Sequence, residues 1–238
     1  MAERWFDLVS AEHFWIIRRF DVLQKLCAPA LNRDLRYAEV GCGSGILQRQ
    51  LEKSFNLTVD GMDLGLHALE MTQATCGELY YYNILDQNPE LKEKYDVIFL
   101  FDVLEHVDDE NAFLKSCSFH LKRGGRLIVN VPSRMELYSK YDQAVGHVRR
   151  YRLKDFSRLA EASGLTVSRS TYWGLPLYPI LLIRKVLIMF QTDASAIVQR
   201  GMKPPGNFAN YLLKLYSRVE IIPQRIIGTS IMVIFQKR

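Results

Sequence analysis

The sequence predicts an α/β fold in which a mostly parallel β-sheet is covered by helices on both faces. Short β-rich segments alternate with helical ones between residues 36 and 131, a pattern typical of repeated βαβ units. A glycine-rich turn follows the first β-rich segment, at the place where open α/β sheets bind their ligands. The 238 residues, 48% of them hydrophobic and 24% charged, suffice for one globular domain with a buried core.

The first 35 residues predict a helical cap. Apolar residues recur there at intervals of three and four, from Trp5, Leu8 and Val9 onward, and Pro29 closes the pattern. This periodicity is that of an amphipathic helix with one face turned toward a core. The cap therefore precedes the first β-rich segment.

Strands and helices alternate through the next hundred residues. The strands are predicted at 36–40, 57–62, 79–83, 95–101 and 126–131, and the helices near 44–54, 65–74, 87–93 and 109–121.

A helix and two strands are predicted in the remainder of the chain. The helix at 155–162 ends before Gly164, a residue suited to a C-terminal cap. The strands lie at 165–172 and 226–235, the second interrupted at Gly228 and able to pair antiparallel beside the first. Neither an internal repeat nor a flexible linker is evident, so we expect one domain: a cap (1–35), a core (36–133) and a second half (134–238) with an apolar helical insertion at 173–220.

The segment 173–190, WGLPLYPILLIRKVLIMF, is unusually apolar. Its first eleven residues carry no charge, but Arg184 and Lys185 follow, and Pro176 and Pro179 interrupt its start. A membrane-spanning helix needs about 20 mainly apolar residues, and charges at its centre are costly. We therefore expect no span, but a core-packing helix or lid, a dimer face, or a surface lying in a membrane interface.

Charge is divided unevenly along the chain. Residues 1–133 carry a net charge of −6 and residues 134–238 one of +11. A basic half could face nucleic acid, anionic lipid or an acidic substrate, and it could also be a solvated surface.

The cysteines and the first residues indicate a compartment. Cys27, Cys42, Cys76 and Cys117 form no CxxC pair, which argues against a zinc knuckle or a redox dithiol. The start of the chain lacks the basic and apolar pattern of a signal peptide. The expected location is the cytoplasm, with peripheral membrane contact through 173–190 as the alternative.

The glycine-rich turn spans residues 39–45 and reads EVGCGSG. Glycines allow the backbone to turn sharply and to approach a ligand closely, beside the N–H groups of the following helix. A dinucleotide-binding turn would have its third glycine three residues after Gly43, where this chain has Ile46. The spacing therefore disfavours a dinucleotide.

Two carboxylates narrow the choice of ligand. Glu39 comes directly before the turn, where a carboxylate suits an ammonium group better than a pyrophosphate. Asp63, 22 residues after Gly41, ends the second predicted strand, where a carboxylate can accept hydrogen bonds from ribose hydroxyls. S-adenosylmethionine carries both a ribose and an amine.

Residues 36–133 resemble the class I S-adenosylmethionine-dependent methyltransferases, of the group that includes the ubiquinone-type O-methyltransferases. EVGCGSG matches the first motif of that family and MDL around Asp63 the second, while YDVIFLFDVLEHV and LKRGGRLIVNVPS match its fourth and fifth strands. Asn83-Ile84 stands where the family usually has Asp-Ala, which is a departure. The resemblance implies a Rossmann-like sheet of seven strands with the last one antiparallel.

The resemblance also implies S-adenosylmethionine as cofactor and assigns contacts to it. Glu39 would take the methionine end, the glycine turn would form the floor, Asp63 would hold the ribose, and Asn83 would flank the adenine. The implied cofactor contacts are Glu39, Gly41, Cys42, Gly43, Gly45, Asp63, Leu64, Asn83, Ile84, Leu100 and Phe101.

Two histidines are candidates for a catalytic base. His106 follows the fourth predicted strand, and His147, the leading candidate, follows the fifth; an imidazole titrates near neutrality. A structural role in holding a loop is the alternative for both. Arg149, Arg150 and Tyr151 are candidate substrate contacts, since paired arginines can clamp a phosphate or carboxylate, although surface arginines are an equal alternative.

The same segment offers a candidate metal site. Asp102, Glu105, His106 and Asp109 are spaced as on one helix face, and some methyltransferases resembling this chain use a divalent ion there. Asp102, however, is still leaving the strand, so the four side chains are not expected to converge. No metal is predicted.

The predicted activity is methyl transfer from S-adenosylmethionine to a hydroxyl oxygen of a small or lipid-linked acceptor. An RNA methyltransferase and a non-catalytic, cofactor-binding partner protein are the alternatives. Nucleic acid is disfavoured, because residues 100–103 (LFDV) lack the Pro-Pro motif of base-amine methyltransferases and the chain has no Pro-Cys nucleophile.

Overall fold

The computed structural model of the protein describes residues 10–72, 76–202 and 206–238. Trp5, Leu8 and Val9, with which the predicted cap begins, lie outside the described residues, as does the end of the helix predicted at 65–74. The strands are Tyr37–Val40 (β1), Val59–Asp63 (β2), Leu79–Tyr81 (β3), Tyr95–Phe101 (β4), Leu121–Pro132 (β5), Leu165–Trp173 (β6) and Ser230–Lys237 (β7).

These strands form one sheet in the order β3-β2-β1-β4-β5-β7-β6. The pairs among β1 to β5 are parallel, and β7 is antiparallel to both of its neighbours, β5 and β6. The predicted fold class is thereby confirmed. From β1 the strands β2 and β3 are added on one side, and from β4 the later strands are added on the other. The crevice at the carboxyl ends of such a central pair is where open α/β sheets bind ligands.

Helices cover both faces of the sheet. They are Phe14–Cys27 (α1), Ile46–Phe55 (α2), Leu66–Glu70 (α3), Glu110–His120 (α4), Lys140–Val145 (α5), Asp155–Ala162 (α6), Tyr178–Ile188 (α7), Ala194–Met202 (α8) and Gly206–Ser217 (α9).

The core has two layers because strand residues alternate between the faces of the sheet. Leu100 of β4 belongs to the apolar cluster that contains Phe113 of α4. Its neighbour Phe99 belongs to the opposite cluster, with Leu23 of α1 and Leu47 of α2. The cap helix therefore covers the same face as the helix that follows the glycine turn.

The structure corrects several predicted element bounds. The helix predicted at 87–93 is a single 3₁₀ turn, Pro89–Leu91. The Asn88 side chain caps this turn, and a segment this short does not continue as an α-helix. The final strand begins at Ser230, not at residue 226. A Cβ on Gly228 would lie 2.3 Å from the Trp173 carbonyl oxygen, so the chain before Ser230 packs against the end of β6. The strand predicted at 126–131 begins earlier, at Leu121, and the one at 79–83 ends at Tyr81.

The apolar segment 173–190 is divided between core and surface. Ile188 of α7 packs with Tyr141 and Ile197 in a third apolar cluster. Val186 and Leu187, on the outer side, are 61% and 68% exposed. Over the described ranges, no helix combines the length and apolar character needed to cross a bilayer.

Candidate functional site

The glycine turn after β1 has a backbone that glycine favours. Gly41, Gly43 and Gly45 have φ angles of +73°, +52° and +72°, in the left-handed region. The Gly41 N–H donates a hydrogen bond to the Met62 carbonyl at 2.7 Å. A Cβ on Gly41 would lie 2.3 Å from Val103 Cγ2, so the turn passes directly against the segment that follows β4.

Asp63 ties this turn to the end of β2. Its Oδ2 accepts a hydrogen bond from the Gly43 N–H at 2.8 Å, and its Oδ1 accepts one from the Gly65 N–H at 2.7 Å. Each carboxylate oxygen can accept a further hydrogen bond, so the arrangement is compatible with a role toward ribose hydroxyls. Leu64, beside it, is 63% exposed.

Glu39 provides a test of whether the site fits a cationic ligand. Its side chain is buried, and its Oε2 atom has no hydrogen-bond partner among the described residues. Burial raises the pKa of this carboxyl to about 8; Arg19 opposes the rise, whereas Asp63 and Asp102 add to it. A buried carboxyl oxygen without a hydrogen-bond partner is costly. The ammonium group of S-adenosylmethionine would give it a donor, so the residues fit the cofactor.

The other predicted cofactor contacts differ in exposure. The Asn83 side chain accepts a hydrogen bond from the Leu85 N–H at 3.1 Å, which starts a short 3₁₀ turn. Cys42 is buried, and this burial raises the pKa of its thiol. Ile84, Leu100 and Phe101 are buried in the core below the crevice.

A chain of polar contacts behind Glu39 was not predicted from the sequence. Arg19 of α1 donates a hydrogen bond to Asp102, directly after β4. Asp102 also accepts one from Asn130 Nδ2 at 2.7 Å, and Asn130 Oδ1 accepts one from Trp173 Nε1 at 2.9 Å. Two features of the sequence could have indicated these contacts. Arg19 is a charged residue on the apolar side of the cap helix, and Asn130 is a polar residue in an otherwise apolar strand.

The two candidate histidines lie side by side, with ring centroids 4.8 Å apart. His147 Nδ1 is 2.9 Å from Asp142 Oδ1, and His147 Nε2 is 3.7 Å from Glu105 Oε1. His106 Nδ1 lies 3.0 Å from the Gly146 carbonyl oxygen, which can only accept, so this nitrogen donates. Burial and the neighbouring His147 lower the pKa of His106 to about 4.

Buried carboxylates surround His147. Burial raises the pKa of Asp142, but the hydrogen bond from His147 and the charge of Arg150 outweigh this effect and hold it at about 2. Burial, with Asp102 nearby, raises the pKa of Glu105 well above its ordinary value. Asp142 was missed from the sequence, although the capping box that it forms with Ser139 at the start of α5 is a recognisable pattern.

The predicted substrate contacts are engaged with other groups of the chain. Arg149 Nη1 donates to Glu110 Oε2 at 2.8 Å, and the Tyr151 hydroxyl donates to the same oxygen at 3.0 Å. Arg150 Nε donates to Asp142 Oδ1 at 2.8 Å. The three residues therefore help to build the loop that carries His147.

The four candidate metal ligands of this segment, Asp102, Glu105, His106 and Asp109, do not all converge. Asp102 pairs with Arg19, and Asp109 caps α4 by accepting a hydrogen bond from a backbone N–H. Instead, Glu105, His106 and His147 lie together, with candidate ligand atoms within 4.8 Å of one another. This trio has the spacing of a metal site and equally that of a proton-transfer cluster.

Comparison with known proteins identifies the class. Residues 12–170 match the family model described as a methyltransferase domain. Ubiquinone biosynthesis O-methyltransferase of Vibrio parahaemolyticus is 32% identical over 149 residues, which are 56% of this chain and 60% of that protein. The protein of the same name from Aliivibrio fischeri is 31% identical over 152 residues, with the same coverage. The chain thus spans about three fifths of the length of these relatives.

A solved structure supports the fold. Phosphoethanolamine N-methyltransferase 2 of Haemonchus contortus, in complex with S-adenosyl-L-methionine, has a TM-score of 0.61 at 16% identity, over 92% of this chain and 52% of that one. The chain belongs to the methyltransferase-domain family, whose members use S-adenosylmethionine. The family and the cofactor predicted from the motifs are confirmed.

Proposed function

We propose that this protein methylates a hydroxyl oxygen of a small or lipid-linked acceptor, using S-adenosylmethionine. The observation that carries the proposal is the 2.9 Å contact between His147 Nδ1 and Asp142 Oδ1, beside the segment that follows β4. Methylation of a hydroxyl requires an aligned acceptor and a group that removes its proton. A histidine oriented by a carboxylate is suited to that task.

The cofactor side of the proposal rests on the crevice above β1 and β4. When bound, S-adenosylmethionine supplies the methyl group. Glu39 would receive the ammonium group, the glycine turn would form the floor, and Asp63 would receive the ribose hydroxyls. Asn83 and Ile84 would flank the adenine, and Leu100 and Phe101 would lie on the side of the sulfonium. The unpaired Oε2 of Glu39 supports the first of these contacts.

His147 acts as the base through its Nε2 atom. The low pKa of Asp142 keeps it as a carboxylate, which accepts a hydrogen bond from the His147 Nδ1–H. Nε2 then carries the unshared electron pair, and its 3.7 Å separation from Glu105 is longer than a hydrogen bond. Nε2 would take the proton that the acceptor hydroxyl gives up, and the Asp142 carboxylate would stabilise the resulting imidazolium.

The acceptor class is supported by two observations. Both curated relatives described above are named O-methyltransferases, which supports oxygen as the methylated atom. Phe190 and Phe208, on either side of α8, are 82% and 75% exposed, which supports a lipid-linked acceptor and peripheral membrane contact through 173–190. Arg149, Arg150 and Tyr151 remain predicted acceptor contacts.

The first experiment is a calorimetric titration of S-adenosylmethionine into the protein and into Asp63→Ala. We expect binding that the substitution weakens by more than tenfold. Turnover is then measured with a panel of phenols, with and without an alkyl chain. We expect His147→Gln to lower kcat by about 10²-fold or more at unchanged cofactor affinity.

His106→Gln is the matched control, because its ring contacts that of His147. Retained turnover in His106→Gln with loss in His147→Gln supports the proposal. The reverse pattern would move the base to His106. Cofactor binding without turnover on any acceptor would favour the non-catalytic alternative.

A further inference from the structure

We infer that the protein has a second ligand site, a basic pocket that binds a phosphate or diphosphate group. The pocket has a volume of about 520 Å³ and lies along the edge strand β6, away from the glycine turn. Its polar lining includes four cations and two hydroxyls: Arg134, Arg152, Lys154, Arg225, Ser157 and Ser170.

The charge of the basic pocket is not balanced by the described residues that line it. The lining set includes no carboxylate. Glu136, outside it, lies 3.5 Å from Arg134 and 3.6 Å from Arg152, so one carboxylate serves two arginines. Arg225 contacts the Ser170 hydroxyl at 3.3 Å. Most of the positive charge thus remains available to an anion, and this pocket accounts for part of the basic character of the second half of the chain.

Arg134 is held rigidly at one wall of the pocket. Its φ angle is +67°, a conformation rare for a residue with a side chain and often found at binding sites. Its guanidinium carbon lies 5.3 Å from the Tyr172 ring centroid, and its Nη2 donates to the Ile226 carbonyl at 3.2 Å. The planar guanidinium of Arg134, fixed by these two contacts, suits a phosphate oxygen.

The basic pocket is separate from the proposed reaction site. Ser133 and Tyr151 form an isolated bridge, and the Arg134 N–H donates to the Tyr151 carbonyl at 2.9 Å. Arg150, before this bridge, is directed to Asp142 and the histidines, whereas Arg134 is directed to the basic pocket. An anion bound there does not compete with the cofactor or with His147.

The size and lining narrow the ligand class. A volume of about 520 Å³ falls within the ~300–1,000 Å³ typical of small-molecule sites and exceeds the needs of a lone phosphate. Leu153 and Val167 add apolar wall beside the cations. The pocket therefore suits a phosphate or diphosphate ester that also carries an organic group, whether a free metabolite or a lipid headgroup.

The test is a calorimetric titration of sodium pyrophosphate into the full chain at constant ionic strength. We expect saturable binding that the double variant Arg152→Ala/Arg225→Ala weakens at least tenfold. Both side chains are exposed, and thermal unfolding checks that the variant is folded. The matched control is Arg158→Ala, which removes a 79% exposed arginine of α6 outside the pocket and should leave affinity unchanged.

Three results would overturn the site. They are no binding at millimolar pyrophosphate, equal weakening by Arg158→Ala, and displacement of pyrophosphate by S-adenosylhomocysteine, which would place it in the cofactor crevice. Flotation with vesicles containing phosphatidic acid, compared with vesicles of phosphatidylcholine alone, distinguishes a lipid headgroup from a soluble metabolite as the source of the phosphate group. Binding that the double variant abolishes identifies a lipid headgroup, and pyrophosphate binding without flotation identifies a soluble phosphorylated molecule.

Discussion

Arg19 and Asp102, 83 residues apart in the chain, form an ion pair that joins the cap helix to the end of β4. Asp102 has a φ angle of +58° and also accepts a hydrogen bond from Asn130. The guanidinium carbon of Arg19 lies 5.1 Å from the Phe101 ring centroid. The cap helix is therefore part of the wall beside Glu39, whose pKa the charge of Arg19 partly restrains.

We expect Arg19→Met to destabilise the protein by about 2 kcal/mol, because Asp102 keeps its partly buried charge without its cation. Urea unfolding at pH 7 measures the change. Lys25→Met, an exposed position on the same helix, should stay within about 0.5 kcal/mol of the parent. Equal free energies of unfolding for Arg19→Met and Lys25→Met would show that the Arg19–Asp102 ion pair contributes nothing to stability.

Cofactor binding should release a proton near neutral pH. In the free protein the pKa of Glu39 is about 8, above its ordinary value of 4.5, so the carboxyl is protonated at pH 7. The ligand's ammonium favours the carboxylate, so affinity should fall as the pH is lowered below about 8. Calorimetry at pH 7 in buffers of different ionisation enthalpy counts the proton. Glu39→Gln should abolish the release, and an unchanged proton count in that variant would contradict the assignment.

The same raised pKa has a consequence for stability. An acid whose pKa is higher in the folded state than in the unfolded state favours folding at low pH. That contribution is lost as the pH rises through the interval from about 4.5 to about 8. Without cofactor, Glu39→Gln should therefore gain stability relative to the parent as the pH is raised across this interval. Parallel stability curves for the two proteins would exclude the linkage.

Gly41→Ala should destabilise the glycine turn and weaken cofactor binding. Two causes act together: the left-handed φ, and a Cβ that would lie 2.3 Å from Val103 Cγ2. Gly124→Ala separates them, since Gly124 has a φ of +74° but no atom within 4 Å of the added Cβ in the described structure. We expect a loss of about 1 kcal/mol for Gly124→Ala and at least twice that for Gly41→Ala, by thermal unfolding. Similar losses of stability in Gly41→Ala and Gly124→Ala would mean that the Val103 side chain moves aside at no measurable cost in stability.

A buried ion pair should hold the helical insertion to the cap. Arg18 Nη2 lies 3.0 Å from Glu220 Oε1, with side chains 1% and 0% exposed, and Glu220 also accepts hydrogen bonds from the Gly174 and Leu175 N–H groups. Glu220→Ala should cost about 3–5 kcal/mol, because it leaves Arg18 buried and unpaired. Adding Arg18→Met should recover part of that loss. A double variant no better than Glu220→Ala would indicate that the backbone contacts of Glu220 carry the effect.

Much of the fold could be predicted from local patterns in the sequence. The alternation of β-rich and helical segments, the glycines at positive φ and the position of Asp63 each depend on residues a few positions apart. Such short-range patterns are set by backbone geometry and by the two faces of a sheet. The start of the last strand was mispredicted because it depends on the contact of Gly228 with Trp173, which is distant in the chain. The helix predicted at 87–93 is a local error: only the turn Pro89–Leu91 forms, capped by the Asn88 side chain.

The sequence by itself therefore determined the α/β class, the family and the cofactor. Only the tertiary structure decided that Arg19 meets Asp102 and that Arg134 and Arg225 share one pocket. These contacts join segments up to about 90 residues apart. The order of strands in the sheet brings them together, and no spacing along the chain encodes that order.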